Sequence, residues 1–250
     1  MSDSPIAPWL DGYHGSRLRT ERSSRLLIIT LDSPPVNAFD SIAYQELGEV
    51  FSAISSASDL SSVLLRADNR CFSAGQDRLD APTSLTDSPS YLRHVSQTIV
   101  EATLCPVPLV VAVRSAAIGA GLILALCADI LVVDSDATLS VPGRKYGVIS
   151  GYAHLLPWIG SNARTAVLTG QPIETQAFLS GGALVVPFEI VDLEAKRVAE
   201  SIAEVDPQFI RALKSGWNDA RKEVARSYLR EIEQTIELGS MDFKPNLPVD

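Results

Sequence analysis

The stretch from Val113 to Asp129, VRSAAIGAGLILALCAD, offers the chain's clearest prospect of chemistry. An apolar run, Pro108–Val113, reads as a buried strand. It meets a small-residue turn, Ala116 to Gly121, and then an apolar helix that stops near Ala128 and Asp129. A strand led through a glycine-rich turn into a helix leaves backbone N–H groups without intrahelical partners at the positive end of the helix dipole. Such donors can hold a phosphate, a carboxylate or the oxyanion of a polarised carbonyl. The same turn also suits a buried helix packed tightly behind its strand. A second small-residue segment, Cys71-Phe72-Ser73-Ala74-Gly75-Gln76-Asp77, follows another expected strand and shifts the balance toward the first reading.

Composition bounds the partners. A chain of 250 residues suits one large domain, or a core with a smaller appendage. With 46% hydrophobic and 20% charged residues it reads as an ordinary globular protein. A net charge of −9 argues against a nucleic-acid partner, and a polyanionic ligand would rely on a few local cations and helix N-termini. Three scattered cysteines, Cys71, Cys105 and Cys127, lack the paired spacing of a zinc site and read as buried, reduced thiols, so no metal is expected. No basic region leads into an apolar one at the N-terminus, and the longest apolar stretch, near 119–133, is interrupted by Asp129. The expectation is a cytoplasmic protein without membrane insertion.

The elements that position these loops follow from pattern. Ser16–Thr20 and Arg25–Leu31 read as a hairpin joined over Glu21 to Ser24, with Ser33-Pro34-Pro35 ending the second strand. Asp40 or Ser41 can cap a helix whose apolar face is Ile42, Leu47, Val50, Phe51 and Ile54. Ser62–Arg66 is a buried strand, Tyr91–Thr103 a helix, and Ile130–Val133 and Thr138–Val141 are strands. The loop Pro142 to Gly151 leads into a helix with Pro157 inside it. Thr175–Leu179 is a short helix, Leu184–Val186 a strand and Asp192–Ala203 a helix. Asp206-Pro207 opens a last helical region to about Leu238. Helix following strand several times over argues for an α/β fold with parallel pairing.

Five motifs in order carry a resemblance. Leu31 to Phe39 (LDSPPVNAF), Cys71 to Asp77, Ile118-Gly119-Ala120-Gly121 with Asp129, Gly147 through Gly151, and Leu168-Thr169-Gly170 together resemble the crotonase (enoyl-CoA hydratase/isomerase) superfamily over roughly residues 16–240. The resemblance implies an α/β fold built as a spiral of ββα turns over residues 1–195. A C-terminal helical region, 196–250, would pack in homotrimers or hexamers. It also implies an acyl-CoA partner, with the coenzyme A thioester as substrate or ligand and no further cofactor. In that family two backbone N–H groups grip the thioester oxygen, and these positions map onto Ala74 and Ala120, the second often glycine in relatives. One such donor can supply ~3–4 kcal/mol of transition-state stabilisation. The expected coenzyme A contacts are Asn37, Ala38, Ser73, Gly75, Gln76, Asp77, Phe243 and Lys244.

The chain departs from that pattern where protons are moved. The two glutamates of the family's hydratases map onto Ile123 and Gly143, neither of which can carry a proton. Gly151 stands where the dehalogenase branch places an aspartate nucleophile. The polar groups left on this loop and the helix after it are Arg144, Lys145, Tyr146, Ser150, Tyr152 and His154. Among them Tyr146 is a candidate acid and His154 a candidate base, against the alternative of a structural histidine. Three readings follow. The first is an acyl-CoA enzyme using the Ala74/Ala120 hole without glutamates. The second is a non-catalytic binder of long acyl-CoA, on the likeness of Ala117–Leu122 and Lys145–Gly147 to such proteins. The third is a carbon–carbon (β-diketone) hydrolase, on Leu156 to Asn162 and Leu168 to Gln171.

Overall fold

The computed structural model describes residues 8–68, 70–80 and 88–240. Leu18–Ser23 (β1) and Leu26–Leu31 (β2) pair antiparallel, from Leu18↔Leu31 to Ser23↔Leu26. The turn is therefore tighter than the four residues expected, because Ser24 takes the left-handed conformation (φ 56°) that a two-residue connection requires. Pairing after β2 is parallel, with Ser62–Ala67 (β4), Leu109–Val113 (β6), Ile130–Asp134 (β8) and Leu184–Val186 (β10) following in spatial order. The near-continuous apolar runs of β2, β4 and β6 suit strands covered on both faces.

Four strands of this sheet, β2, β4, β6 and β8, each hand the chain to a short strand outside it. Ala38–Phe39 (β3) pairs in parallel with Gly75–Gln76 (β5), and Ala116–Ile118 (β7) with Thr138–Ser140 (β9). A bridge between Ser73 and Ala117 joins the two pairs. The helices Ser41–Ser56 (α1), Pro89–Thr103 (α2) and Ala120–Ala125 (α3) then return the chain to the main sheet, so each turn reads strand, short strand, helix. Asp40 caps α1 by accepting from the Ala43 N–H at 2.8 Å. The expected ββα spiral is the observed architecture.

Tyr152–Ile159 (α4) and Asn162–Thr169 (α5) follow the loop after β9. Val191–Ala203 (α6) covers the far face of the main sheet, where Val191, Ala195 and Ala199 pack with Leu26, Ile28, Leu64, Val110 and Val132. The boundary drawn at residue 195 falls inside this helix. Its small residues seat it on the sheet, so it belongs to the spiral. The last helical region breaks at Gly216 and Trp217 into Pro207–Ser215 (α7) and Asn218–Ser240 (α8), with Asp206 capping the first. At the break Trp217 turns its indole N–H toward Asp129. No helix among the described residues is long and apolar enough to cross a membrane.

Asp129 ties these parts together. Its Oδ2 accepts the Leu109 N–H that starts β6 (2.8 Å) and the buried Lys214 ammonium (2.6 Å), and its Oδ1 lies 3.3 Å from the Trp217 indole nitrogen. Lys214 also donates to the Val107 carbonyl, and the Arg221 guanidinium covers the carbonyls of Thr103 and Ala128. The sequence marks Asp129 as the residue that ends the glycine-turn helix. The structure adds that it fastens α7 and α8 to the spiral.

Candidate functional site

The two small-residue segments meet backbone to backbone. Ser73 is fully buried; its N–H donates to the Ala116 carbonyl and its own carbonyl accepts from Ile118 at 3.0 Å. A Cβ on Gly121 would stand 2.7 Å from the Ser73 Cβ, so only glycine lets α3 begin this close to the 72–75 loop. Gly75, at φ +88°, is held just as closely: a Cβ there would lie 2.4 Å from the Ile118 carbonyl oxygen and 3.5 Å from the Ala120 nitrogen. Ala120 is the first residue of α3, so its N–H has no intrahelical acceptor, and none of the described residues takes it. That N–H is a free donor at the positive end of a helix, beside Gly75.

The Ala74 N–H is differently placed. It donates to the Val36 carbonyl at 2.9 Å, an oxygen that also accepts from the Cys71 thiol at 3.4 Å. The cause is the turn before β3. Asn37 N–H donates to Ser33, Ser33 N–H donates to Asn37 Oδ1, both at 2.8 Å, and Asn37 sits at φ 50° with its amide on the carbonyls of Cys71 and Phe72. Of the two N–H donors expected from the resemblance, one is free and the other is occupied by the chain's own carbonyl.

Several expected coenzyme A contacts turn inward for the same reason. The Asn37 side chain is 1% exposed and holds the 71–72 backbone. Ser73 Oγ donates to the Asn37 carbonyl (2.6 Å) and accepts from Gly75 N–H (3.0 Å). Gln76 donates to the Phe39 carbonyl and accepts from the Tyr44 hydroxyl at 2.9 Å, with Tyr91 as a further partner. The side chains of these three residues are engaged in building the loop. Ala38 is half-buried beside β5, and Asp77 caps its own turn by accepting from Leu79 N–H at 2.8 Å. Phe243 and Lys244 lie outside the described residues.

Ile123 is buried in the core at 3% exposure. Gly143 is the second residue of a short 3-10 turn, Pro142–Tyr146, at the end of which Tyr146 is exposed beneath the Arg78 guanidinium, 5.4 Å from the ring centre. His154 is corrected as a base. It is 1% exposed, its Nε2 lies 3.0 Å from Thr103 Oγ1, its ring edge packs on Tyr228, and burial pushes its pKa down to about 3. Its neighbours Ala153, Leu155 and Trp158 are buried on α4, so the structural alternative holds. His94, exposed on α2, lines a groove of about 700 Å³ between α1 and α2 together with Trp9, Glu49 and Glu101. Among the described residues no group of three or more His, Cys, Asp or Glu could hold a metal ion.

Sequence reading missed Glu231. Its carboxylate, buried on α8, accepts from Gly151 N–H (2.8 Å) and Ala153 N–H (2.7 Å) and so caps α4 from a distant helix. The signal was present: Tyr228, Glu231, Ile232 and Thr235 form one stripe at helical spacing, and all four are buried. Burial outweighs the two donors and pushes the Glu231 pKa from 4.5 to about 7. Its contribution to stability is thus whole below about pH 4.5 and lost as pH rises through 7. His154 has the opposite sign, since its neutral form is favoured above about 6.5 and its contribution is lost as pH falls toward 3. At full strength each slope is about 1.4 kcal/mol per pH unit, and the two cancel where the windows overlap, between about 4.5 and 6.5. Urea unfolding of Glu231→Gln is expected to reveal the histidine slope, with stability rising from pH 4.5 to 6.5 relative to the parent. A parallel pair of profiles would refute the assignment.

Residues 21–239 match the family model described as enoyl-CoA hydratase/isomerase. A Mycobacterium tuberculosis protein named (7aS)-7a-methyl-1,5-dioxo-2,3,5,6,7,7a-hexahydro-1H-indene-carboxyl-CoA hydrolase is 31% identical over 224 residues, covering 86% of this chain and 89% of the relative. A Rhodococcus jostii protein of the same name is 32% identical over 220 residues, 84% of each chain. A probable enoyl-CoA hydratase from Mycobacterium thermoresistibile shares the fold, with a TM-score of 0.77 at 24% identity over 91% of this chain and 96% of the other.

Proposed function

Because the chain belongs to the enoyl-CoA hydratase/isomerase family, we propose that it binds an acyl-CoA thioester with the acyl oxygen at the Ala120 N–H, and acts on it without the two-glutamate chemistry of a hydratase. The observation that carries this reading is the free Ala120 N–H, held against Gly75 at the start of α3. A fixed dipole there stabilises charge that develops on one oxygen. The Ala74 N–H becomes the second donor when that oxygen replaces the Val36 carbonyl as its acceptor. The positions that resemble the hydratase glutamates hold a core isoleucine, Ile123, and Gly143, where a Cβ would stand 2.5 Å from the Val148 carbonyl oxygen. Tyr146 is retained as the candidate acid, at the rim. Exposed Arg78, Arg144 and Lys145 around it supply local cations for a polyanionic ligand on an acidic protein. The reading includes no cofactor beyond the thioester, a homotrimer or hexamer built through the C-terminal helices, and a cytoplasmic location.

Hydrolysis of an oxo-substituted thioester is the second reading. It is favoured by the two relatives named hydrolases of a dioxo-indene-carboxyl-CoA. The same donor would hold the oxyanion formed when water adds to a carbonyl. Calorimetric titration with crotonyl-CoA, a long-chain acyl-CoA and acetoacetyl-CoA, with crotonyl-CoA hydration and acetoacetyl-CoA cleavage followed in parallel, tests both. Binding without crotonyl-CoA hydration is the expected result. Hydration at an ordinary enzymatic rate would overturn the loss-of-glutamate argument. Binding with no turnover of any thioester would move the weight to a non-catalytic carrier, and absence of binding would remove the thioester reading altogether.

A further inference from the structure

The space that a side chain at residue 143 would need is occupied by the segment that follows it. Val148 N–H donates to the Gly143 carbonyl at 3.0 Å, and the Val148 carbonyl stands where a Cβ on residue 143 would go. Ser150 Oγ lies 3.7 Å from that same position. The same segment lies beside the glycine turn: Gly119 N–H donates to the Ser140 carbonyl at 2.8 Å, and Pro142 Cδ is 3.9 Å from where a Cβ on Gly119 would lie. The Ser150 hydroxyl thus stands on the loop packed against the turn that presents the Ala120 N–H. It is half-buried, and no hydrogen bond to another described residue engages it.

Helix α8 grips the backbone on both sides of this residue. Thr235 Oγ1 accepts from Ile149 N–H at 2.9 Å and lies 3.1 Å from the Ile149 carbonyl oxygen. Glu231, one helical turn earlier, takes the N–H groups of Gly151 and Ala153. The flanking residues are fixed while the side chain between them is left unengaged. A neutral hydroxyl cannot abstract a proton at neutral pH, but it can donate to an enolate or oxyanion oxygen, or hold a water molecule against an acyl carbon.

We propose that Ser150 is the side-chain hydrogen-bond donor to the acyl portion of the ligand beside the thioester, and that Thr235 and Glu231 are positioning residues that hold it there through the backbone of Ile149 and Gly151. The proposal rests on the thioester reading above. It is tested by calorimetry on the full chain with acetoacetyl-CoA and with coenzyme A itself, which lacks the acyl group. Ser150→Ala is expected to weaken acetoacetyl-CoA about tenfold and leave coenzyme A unchanged. Thr235→Val is expected to shift that ratio in the same direction, and Thr235→Ser to restore it. An unchanged ratio in Ser150→Ala, or an equal loss for both ligands, overturns the role of Ser150 alone. A shift in Ser150→Ala with none in Thr235→Val overturns the positioning role. Failure of the parent protein to bind either compound overturns the thioester reading and this proposal together.

Discussion

Asp129→Ala is expected to lower the free energy of unfolding by about 3–5 kcal/mol, measured by urea titration at neutral pH. The substitution leaves the Lys214 ammonium, 1% exposed, with the Val107 carbonyl as its remaining partner. It also strips the acceptor from the Leu109 N–H and the Trp217 indole. A buried charge without its counter-charge is the costly state, whereas removal of both members is far better tolerated. The double variant Asp129→Ala/Lys214→Met is therefore expected to recover most of the loss, which a double-mutant cycle reads as strong coupling. Arg221, whose guanidinium lies 3.6 Å from Asp129 Oδ1, loses that carboxylate in both variants but keeps its hydrogen bonds to the carbonyls of Thr103 and Ala128. A loss below about 1 kcal/mol in the single variant, the level of an exposed pair, would show that the pair does not fasten the C-terminal helices.

That fastening matters for the site as well as for stability. Helix α8 runs on from Arg221 to Glu231 and Thr235, the two residues that hold the 149–153 backbone. The same helix thus joins the end of the glycine-turn helix to the loop after β9. Arg221 of α8 lies 3.6 Å from Asp129 Oδ1, so loss of that carboxylate is expected to reach the loop along α8, at a distance from the glycine turn itself.

How much of this could be read from the sequence depends on whether the cause was local. Asp206-Pro207 announces a helix start, and the Asp206 carboxylate caps it as expected, because capping involves only neighbours in the chain. The α/β class with parallel pairing was legible because Arg25–Leu31, Ser62–Arg66 and Pro108–Val113 are apolar runs separated by helical patterns, whereas the ββα spiral was implied by the resemblance. The convergence of Cys71 to Asp77 with Ala116 to Gly121 came from the resemblance, and the close approaches at Gly75 and Gly121 give its physical reason. What escaped was set by residues far apart. His154 looked available because its burial depends on Thr103 and Tyr228, which belong to other helices. Asn37, Ser73 and Gln76 looked like ligand contacts, yet their polar atoms meet partners about 32–37 positions away. The Val36 carbonyl on Ala74 follows from a turn geometry that no spacing rule reports.

Ala120→Pro is expected to lower turnover of whichever thioester the protein converts by about 10²–10³-fold, the cost of one oxyanion donor. The position makes this a clean deletion. Ala120 is the first residue of α3, where proline's fixed φ is compatible with the helix and where no intrahelical hydrogen bond is lost. Gly119 before it, at φ 53° and ψ −120°, lies outside the helical region that a following proline disfavours. Proline therefore removes the N–H and puts its ring Cδ in the same place, so donor and oxygen site are lost together while the helix hydrogen bonds are kept. The melting temperature should stay close to the parent's while the affinity for an acyl-CoA falls toward that for coenzyme A. The same change at Ala74 has no such clarity, since it would also break the hydrogen bond to Val36 and loosen the turn before β3. Full turnover in a folded Ala120→Pro protein would show that charge develops elsewhere, and the free N–H at the start of α3 would then be a feature of packing alone.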